Sequence, residues 1–279
     1  MHSLAIRPEA EVPGRHLARA GHLGVRIADR PGEVDEALGL RYRVFAGELG
    51  ADLAACPAAA GSGHRAGPGS APQDRDRDVF DAYCRHLIAV DSLTGRVVGT
   101  YRVLLPEQAR QLGFLYADRE FHLSWLNPIR HDLVELGRAC IEPRYRNGVV
   151  LMLLWRAMRQ LVALHGHQYV IGSCSVPVRD GGVYAASLYR HLARHHLTPP
   201  NQRVWPRIRL SIEGLAGKAA AGAGEEIEIP PLLKGYLKAG ARVLGEPHYD
   251  AQFGCADFPI LLETRCLDQR LMARLDQSN

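Results

Sequence analysis

Two charges stand where charge is costly. In the stretch Leu133-Val-Glu-Leu-Gly-Arg-Ala-Cys-Ile141, Glu135 and Arg138 interrupt a run that otherwise alternates as a strand. Glu135, Gly137, Ala139 and Ile141 would point one way, and Leu136, Arg138 and Cys140 the other. Such charges must be paired or used. Desolvation would lift the Glu135 carboxyl toward neutrality and suit it to proton transfer. A structural pair with Arg138 fits the same residues. Arg138 could bind a carboxylate, buttress Glu135, or simply pair. Pro143 ends the strand, and a basic turn over 144–148 leads into an apolar run from 149 to about 164 that reads as a helix. A helix start after such a turn can hold phosphate, because its first N–H groups point outward and its dipole favours an anion. Arg144, Arg146, Asn147 and Gly148 would form that cradle, although two arginines at a helix start can equally stand in solvent.

The rest of the chain must position these groups. At 279 residues and 47% apolar content, it can bury a sizeable core. A formal charge of +4, with no basic stripe interleaved with aromatics, argues against nucleic acid. Six cysteines lie scattered without short paired spacing, which argues against a zinc site or disulfide scaffold and for reduced thiols in a cytosolic compartment. Residues 1–26 hold no apolar core of signal-peptide length, and no window is apolar enough to span a membrane.

Residues 1–22 read as a disordered tail, 23–268 as one domain, and 269–279 as a C-terminal tail. Low-complexity stretches near 54–78 and 215–226 read as disordered loops within the domain. Helices are expected over 31–50, 149–164, 183–195 and 230–240, with a shorter one or a turn at 106–113. Strands are expected over 25–28, 84–90, 97–105, 133–141, 169–176, 205–212, 241–245 and 258–263. Residues 114–125 are aromatic-rich and ambiguous. The order implies an α/β architecture, a mixed sheet with helices on both faces.

Several segments carry a resemblance: Arg41-Tyr-Arg-Val-Phe45, Phe80-Asp-Ala-Tyr-Cys-Arg-His-Leu87, Glu135-Leu-Gly-Arg-Ala-Cys140, Pro230-Pro-Leu-Leu-Lys-Gly-Tyr-Leu-Lys-Ala-Gly-Ala241, Gly245-Glu-Pro-His-Tyr-Asp250 and Cys255-Ala-Asp-Phe258. Together they resemble the L-ornithine N-alpha-acyltransferases, within the GCN5-related N-acetyltransferase (GNAT) superfamily. The resemblance implies a mostly antiparallel mixed sheet with a central V-shaped splay. It implies transfer of a (3-hydroxy)fatty acyl group from acyl-carrier protein to the α-amine of L-ornithine, giving lyso-ornithine lipid by direct amine attack. The co-substrate would be the phosphopantetheine thioester of the carrier, with no bound cofactor and no metal. The pantetheine arm would run along Ala139, Cys140 and Ile141, where a backbone N–H would hold the oxyanion. Tyr189 matches the position of a tyrosine acid for the leaving thiolate. Asp81, Asp250 and Asp257 are candidates for the cationic end of the amino acid. The enzyme would be cytoplasmic, with transient association at the inner face of the membrane.

The turn departs from the coenzyme A pattern, which carries a second small residue where Val149 stands; a weaker cradle suits a carrier's single phosphate. Glu-Leu-Gly-Arg also resembles acyl-homoserine lactone synthases, an alternative that needs S-adenosylmethionine as acceptor and that the C-terminal blocks oppose. A non-catalytic acyl-carrier or lipid-binding protein on the same fold is a further alternative. His86-x4-Asp91 matches a glycerolipid acyltransferase spacing but straddles a strand and its turn. Cys140 and Cys174 read as small core residues rather than nucleophiles.

Overall fold

The computed structural model describes residues 15–53, 74–211 and 227–266. The first fourteen residues, most of the 54–78 loop, the whole 215–226 loop and the expected C-terminal tail lie outside them. In chain order the first elements are β1 (Ala18–Ala20), β2 (Leu23–Ile27), α1 (Pro31–Tyr42), β3 (Arg85–Asp91), β4 (Val97–Leu104), α2 (Pro106–Leu112), α3 (Ala117–Glu120), β5 (Phe121–His122) and β6 (Leu133–Ile141). There follow α4 (Val149–Leu164), β7 (Tyr169–Pro177), α5 (Val183–His195), β8 (Trp205–Pro206), α6 (Pro231–Lys238), β9 (Arg242–Val243), β10 (His248–Asp250) and β11 (Cys255–Glu263). The strands form a mixed, mostly antiparallel sheet. Among the described residues, no helix is long and apolar enough to cross a membrane.

The chain divides into two compact units. Among the described residues, unit 1 holds 15–53, 74–105 and 137–167, and unit 2 holds 106–136, 168–211 and 227–266. Strand β6 therefore changes unit between Leu136 and Gly137.

In unit 1, β1 to β4 run antiparallel in sequence order, with the second half of β6 beside β4. Helix α1 starts at Pro31, whose fixed φ and missing N–H suit a first helical position. Its Ala37 and Leu40 pack on Ile88, Val97 and Cys140. Helix α4 covers the other face, meeting β1 to β4; neighbouring Ile88 and Ala89 point oppositely, as strand pleating requires. Val150 and Leu154 of α4 sit so close to Gly99 that a Cβ there would lie 2.7 Å from Val150 Cγ1. After α1 the helix widens into a π-helical turn over Arg43–Glu48.

Three expectations need correction here. Residues 18–20, read as tail, form β1 because the Gly21-His22 turn returns them onto β2. Residues 76 and 78, read as part of a solvated loop, are among the most buried charges, Asp76 at 2% exposure. The regular alternation expected in β6 breaks at Arg138, whose φ is 54°. Gly137, Arg138 and Ala139 are consecutively half-buried in a strand otherwise mostly buried.

In unit 2, Leu133–Leu136 pairs in parallel with Tyr169–Gly172, and β7 continues antiparallel to β11 along its whole length. Gly172 allows this approach, since a Cβ would lie 2.9 Å from the Leu136 carbonyl oxygen. Strand β11 also pairs with β9 and β10. The ambiguous 114–125 stretch resolves into α3 and β5. The strand expected over 205–212 shortens to a two-residue ribbon with β5, partly because Pro206 has no N–H to donate.

Gly99→Ala is expected to lower the melting temperature, with an overpacking cost of about 1–3 kcal/mol. Thermal denaturation followed by circular dichroism checks this; an unchanged midpoint would mean that α4 gives way freely.

Candidate active site

In unit 1, three arginines and three aspartates share one buried network. Arg41 donates from Nε to Asp76 Oδ2 at 2.7 Å and from Nη1 to Asp81 Oδ1 at 2.7 Å. Arg102 donates to Asp78 Oδ1 at 2.6 Å and to Asp81 Oδ1 at 3.2 Å. Arg138 donates from Nε to Asp76 Oδ2 at 3.1 Å and from Nη2 to Asp78 Oδ2 at 3.4 Å. The backbone N–H of Asp78 adds a bond to Asp81 Oδ2. Burial pushes the Asp76 and Asp81 carboxyls up, but Arg138 and Arg41 at the first, and Arg41 and Arg102 at the second, hold both below the usual carboxylate range. Asp81 was a candidate for the amino acid's cation; its oxygens instead take protein donors. Arg138, a candidate for the substrate carboxylate, is held by the network.

The turn after β6 is only partly the cradle expected. Arg146 forms a two-pronged ion pair with Glu48, at 2.7 Å for Nη2 and Oε2, and its Nε donates to the Ile141 carbonyl. Asn147 Oδ1 accepts from the Val149 N–H at 3.1 Å, so it serves the helix rather than a ligand. Gly148, at φ 94°, is the residue from which α4 starts, a backbone shape natural to glycine. Arg144 is exposed and lines a surface pocket of about 400 Å³ with Arg43, Arg96, Glu142 and Tyr145. Ala139 and Ile141 are half-buried on β6, and Cys140 is buried with its thiol pushed up to about 12, mainly by burial. His86 Nε2 meets the Asp81 carbonyl at 3.0 Å, as a core histidine does.

In unit 2, Glu135 is buried and accepts from the backbone N–H groups of Tyr116 at 2.6 Å and Ala117 at 2.7 Å. One oxygen serves each donor. Glu135, expected as the base, thus ties β6 to the start of α3 through these two bonds.

A different carboxylate fits the basic role. Glu120, at the end of α3, lies with Asp250 and Asp257 so that one oxygen of each falls within 4.8 Å of the others. Glu120 is 5% exposed and Asp257 3%. Ser173 donates to Glu120 Oε2 at 2.8 Å, and Ser175 to Asp257 Oδ1 at 2.6 Å. Asp250 accepts the N–H groups of Gln252 and Phe253, closing a turn. Burial first, then the Asp257 charge, raises the Glu120 carboxyl well above its ordinary range; the Ser173 bond opposes this, and Glu135 and Asp250 add to it. A carboxyl raised in this way binds a proton more tightly than an ordinary one, and a cation beside its neighbours would oppose that rise. The spacing is also one that a divalent cation could use. Nothing in the sequence singled out Glu120, because the ambiguous stretch around it shows neither helical nor strand period.

Tyr189, on α5, is half-buried; burial and the Glu246 charge raise its hydroxyl, with Arg203 opposing, so it remains an acid. Burial, and then the Asp257 charge, raise the Cys174 thiol, which excludes a ready thiolate.

A family model described as an acetyltransferase (GNAT) domain matches residues 40–156. An L-ornithine N(alpha)-acyltransferase from Rhodobacter capsulatus is 31% identical over 260 residues, covering 88% of this chain and 92% of that protein. Another from Brucella abortus is 31% identical over 269 residues, covering 92% and 90%. Among solved structures, a CoA-dependent acyl-homoserine lactone synthase, BjaI, aligns with a TM-score of 0.47 and 14% identity over 88% of this chain and 83% of that one.

The Glu120 carboxyl gives a stability test. Unfolded, it loses its proton near about 4.3; folded, it keeps it to higher pH. The stability it contributes is present below the unfolded value and lost as pH rises through the folded one. Glu120→Gln is therefore expected to raise the melting temperature at neutral pH, with the difference closing below about pH 4. A variant less stable at pH 7 would contradict this.

Proposed function

We infer the reaction from one premise: this chain belongs to the L-ornithine N-alpha-acyltransferase family of the GNAT superfamily. The proposed reaction moves a (3-hydroxy)fatty acyl group from acyl-carrier protein to the α-amine of L-ornithine and gives lyso-ornithine lipid. The observation that carries the acceptor side is the acidic cluster of Glu120, Asp250 and Asp257 in unit 2, with Glu120 and Asp257 buried.

Ornithine arrives with two ammonium groups. On ordinary values its α-amine is more acidic than a lysine-like side-chain amine by roughly two units. The α-amine is therefore freed first, while the side-chain ammonium keeps its charge for Asp250 and Asp257. The bound charge lowers the affinity of Glu120 for its own proton, which passes to water, and the resulting carboxylate then takes the α-ammonium proton. The freed nitrogen attacks the thioester carbonyl carbon, the C–S bond breaks, and the electron pair leaves with sulfur. Tyr189 donates the proton that turns the thiolate into a thiol. A backbone N–H of β6 carries the charge that develops on the carbonyl oxygen, a donor type worth about 2.7–4 kcal/mol when removed.

On the donor side, Arg144 and the first N–H groups of α4 take the carrier's phosphate. With Asn147 filling one N–H and Glu48 holding Arg146, the cradle suits one phosphate better than a pyrophosphate. The exposed Arg43, Arg96 and Arg144 meet the acidic carrier surface. The product is amphiphilic, so the enzyme works in the cytoplasm with transient contact to the inner membrane face.

Mass spectrometry of the amide product tests these assignments. Glu120→Gln should lower kcat about 10²- to 10⁴-fold, the usual worth of a general base. Asp257→Asn should raise KM for ornithine with a smaller effect on kcat. Wild-type kinetics in both variants would remove the cluster from the reaction. Chelation should leave the rate unchanged; a loss restored by a divalent ion would make the cluster a metal site instead. Arg144→Ala should weaken an acyl-carrier donor more than acyl-coenzyme A, and equal losses would count against carrier preference.

A further inference from the structure

Among the described residues, Arg138 is the one non-glycine residue with positive φ. For an L residue that shape is disfavoured roughly 5- to 30-fold in population, so it persists only where the surroundings over-determine it. A cheaper choice was adjacent. Gly137 could carry a kink without strain, and its missing Cβ would meet nothing nearer than Arg102 Nη2 at 3.9 Å. The chain instead places the kink on a residue with a long charged side chain, and anchors that side chain on Asp76 and Asp78. Asp76 is itself fixed by Arg41, and Asp78 by Arg102. The guanidinium is thus tethered to a buried frame at the same position where β6 leaves its regular alternation and its residues become half-exposed.

We propose that Asp76 is a positioning residue for acyl transfer: acting through the Arg138 guanidinium, it holds the left-handed kink that shapes the donor-binding half of β6. The proposal rests on the acyl-transfer reading above, and it replaces a substrate-binding role for Arg138 with a backbone-holding one. The kink sets the direction of the main-chain N–H groups that follow it, so its loss would be felt when charge develops on the thioester oxygen. It would not be felt when ornithine binds.

Steady-state kinetics with an acyl-carrier thioester and ornithine separate the possibilities. Glycine at 138 can keep the left-handed shape without a tether, whereas alanine cannot. Arg138→Ala should therefore show kcat roughly 5- to 30-fold below Arg138→Gly, with the same KM for ornithine in both. Asp76→Asn should lower kcat in the wild-type chain but far less in the Arg138→Gly chain, because its route of action is gone. Equal kcat in the glycine and alanine variants overturns the proposal. So does an equal effect of Asp76→Asn in both backgrounds, which is what a purely structural aspartate gives. A KM for ornithine raised alike in both Arg138 variants would restore substrate binding to Arg138. Should Asp76→Asn fail to fold, the glycine–alanine comparison decides alone. A wild-type chain that forms no amide from any carrier or coenzyme A thioester would instead defeat the acyl-transfer reading, and the proposal with it.

Discussion

Six charges withdrawn from water govern unit 1. Arg41, Arg102 and Arg138 face Asp76, Asp78 and Asp81, and their formal charges cancel. Burying such ions is costly, and the cost is offset only where each is answered by several well-aligned partners. The partners come from α1, from residues 76–81, from β4 and from β6, so the network joins four parts of the chain that share no local contacts in sequence. Removing one member leaves another buried without its counter-charge, the situation that typically costs about 3–5 kcal/mol. The kink in β6 and the seating of residues 76–81 both depend on this closed set.

Unit 2 uses carboxylates in the opposite way. Glu120, Asp250 and Asp257 are served by Ser173, Ser175 and backbone amides, which are neutral donors. Burial first, and the nearby Asp257 charge second, push the Glu120 carboxyl up. The first arrangement is electrostatically complete, whereas the second gains from a visiting cation. Glu135 belongs to neither class, since two backbone amides satisfy its charge locally.

The sequence made the elements around β6 legible because their periods were strong. The apolar runs of α4 and β7, and the turn residues between β3 and β4, needed no knowledge of distant residues. Val149–Leu164 appears with the bounds expected. What stayed hidden was pairing across sequence. Asp76 and Asp78 look like solvated loop residues, since Asp/Arg alternation has the same composition whether it meets water or Arg41, Arg102 and Arg138. Glu135 was correctly read as buried, but its donors, Tyr116 and Ala117, lie in a stretch without period. Glu120 carried no local signal at all. The positive φ of Arg138 was invisible for the complementary reason: a backbone shape that tertiary contacts impose on an arginine leaves no trace in composition.

The π-helical turn over Arg43–Glu48 has a consequence for evolution of the chain. It takes up more residues per turn than the α-helix before it. Arg41 before the widened turn points into the buried frame, Arg43 lines the surface pocket, and Glu48 reaches Arg146. An α-helix advances by about 100° per residue. Deleting one residue here would therefore swing Glu48 away from Arg146 while leaving Arg41 in place. This stretch is exposed at its end and looks permissive to length change, yet its phase couples an inner ion pair to an outer one. Insertions and deletions there should be selected against more strongly than substitutions.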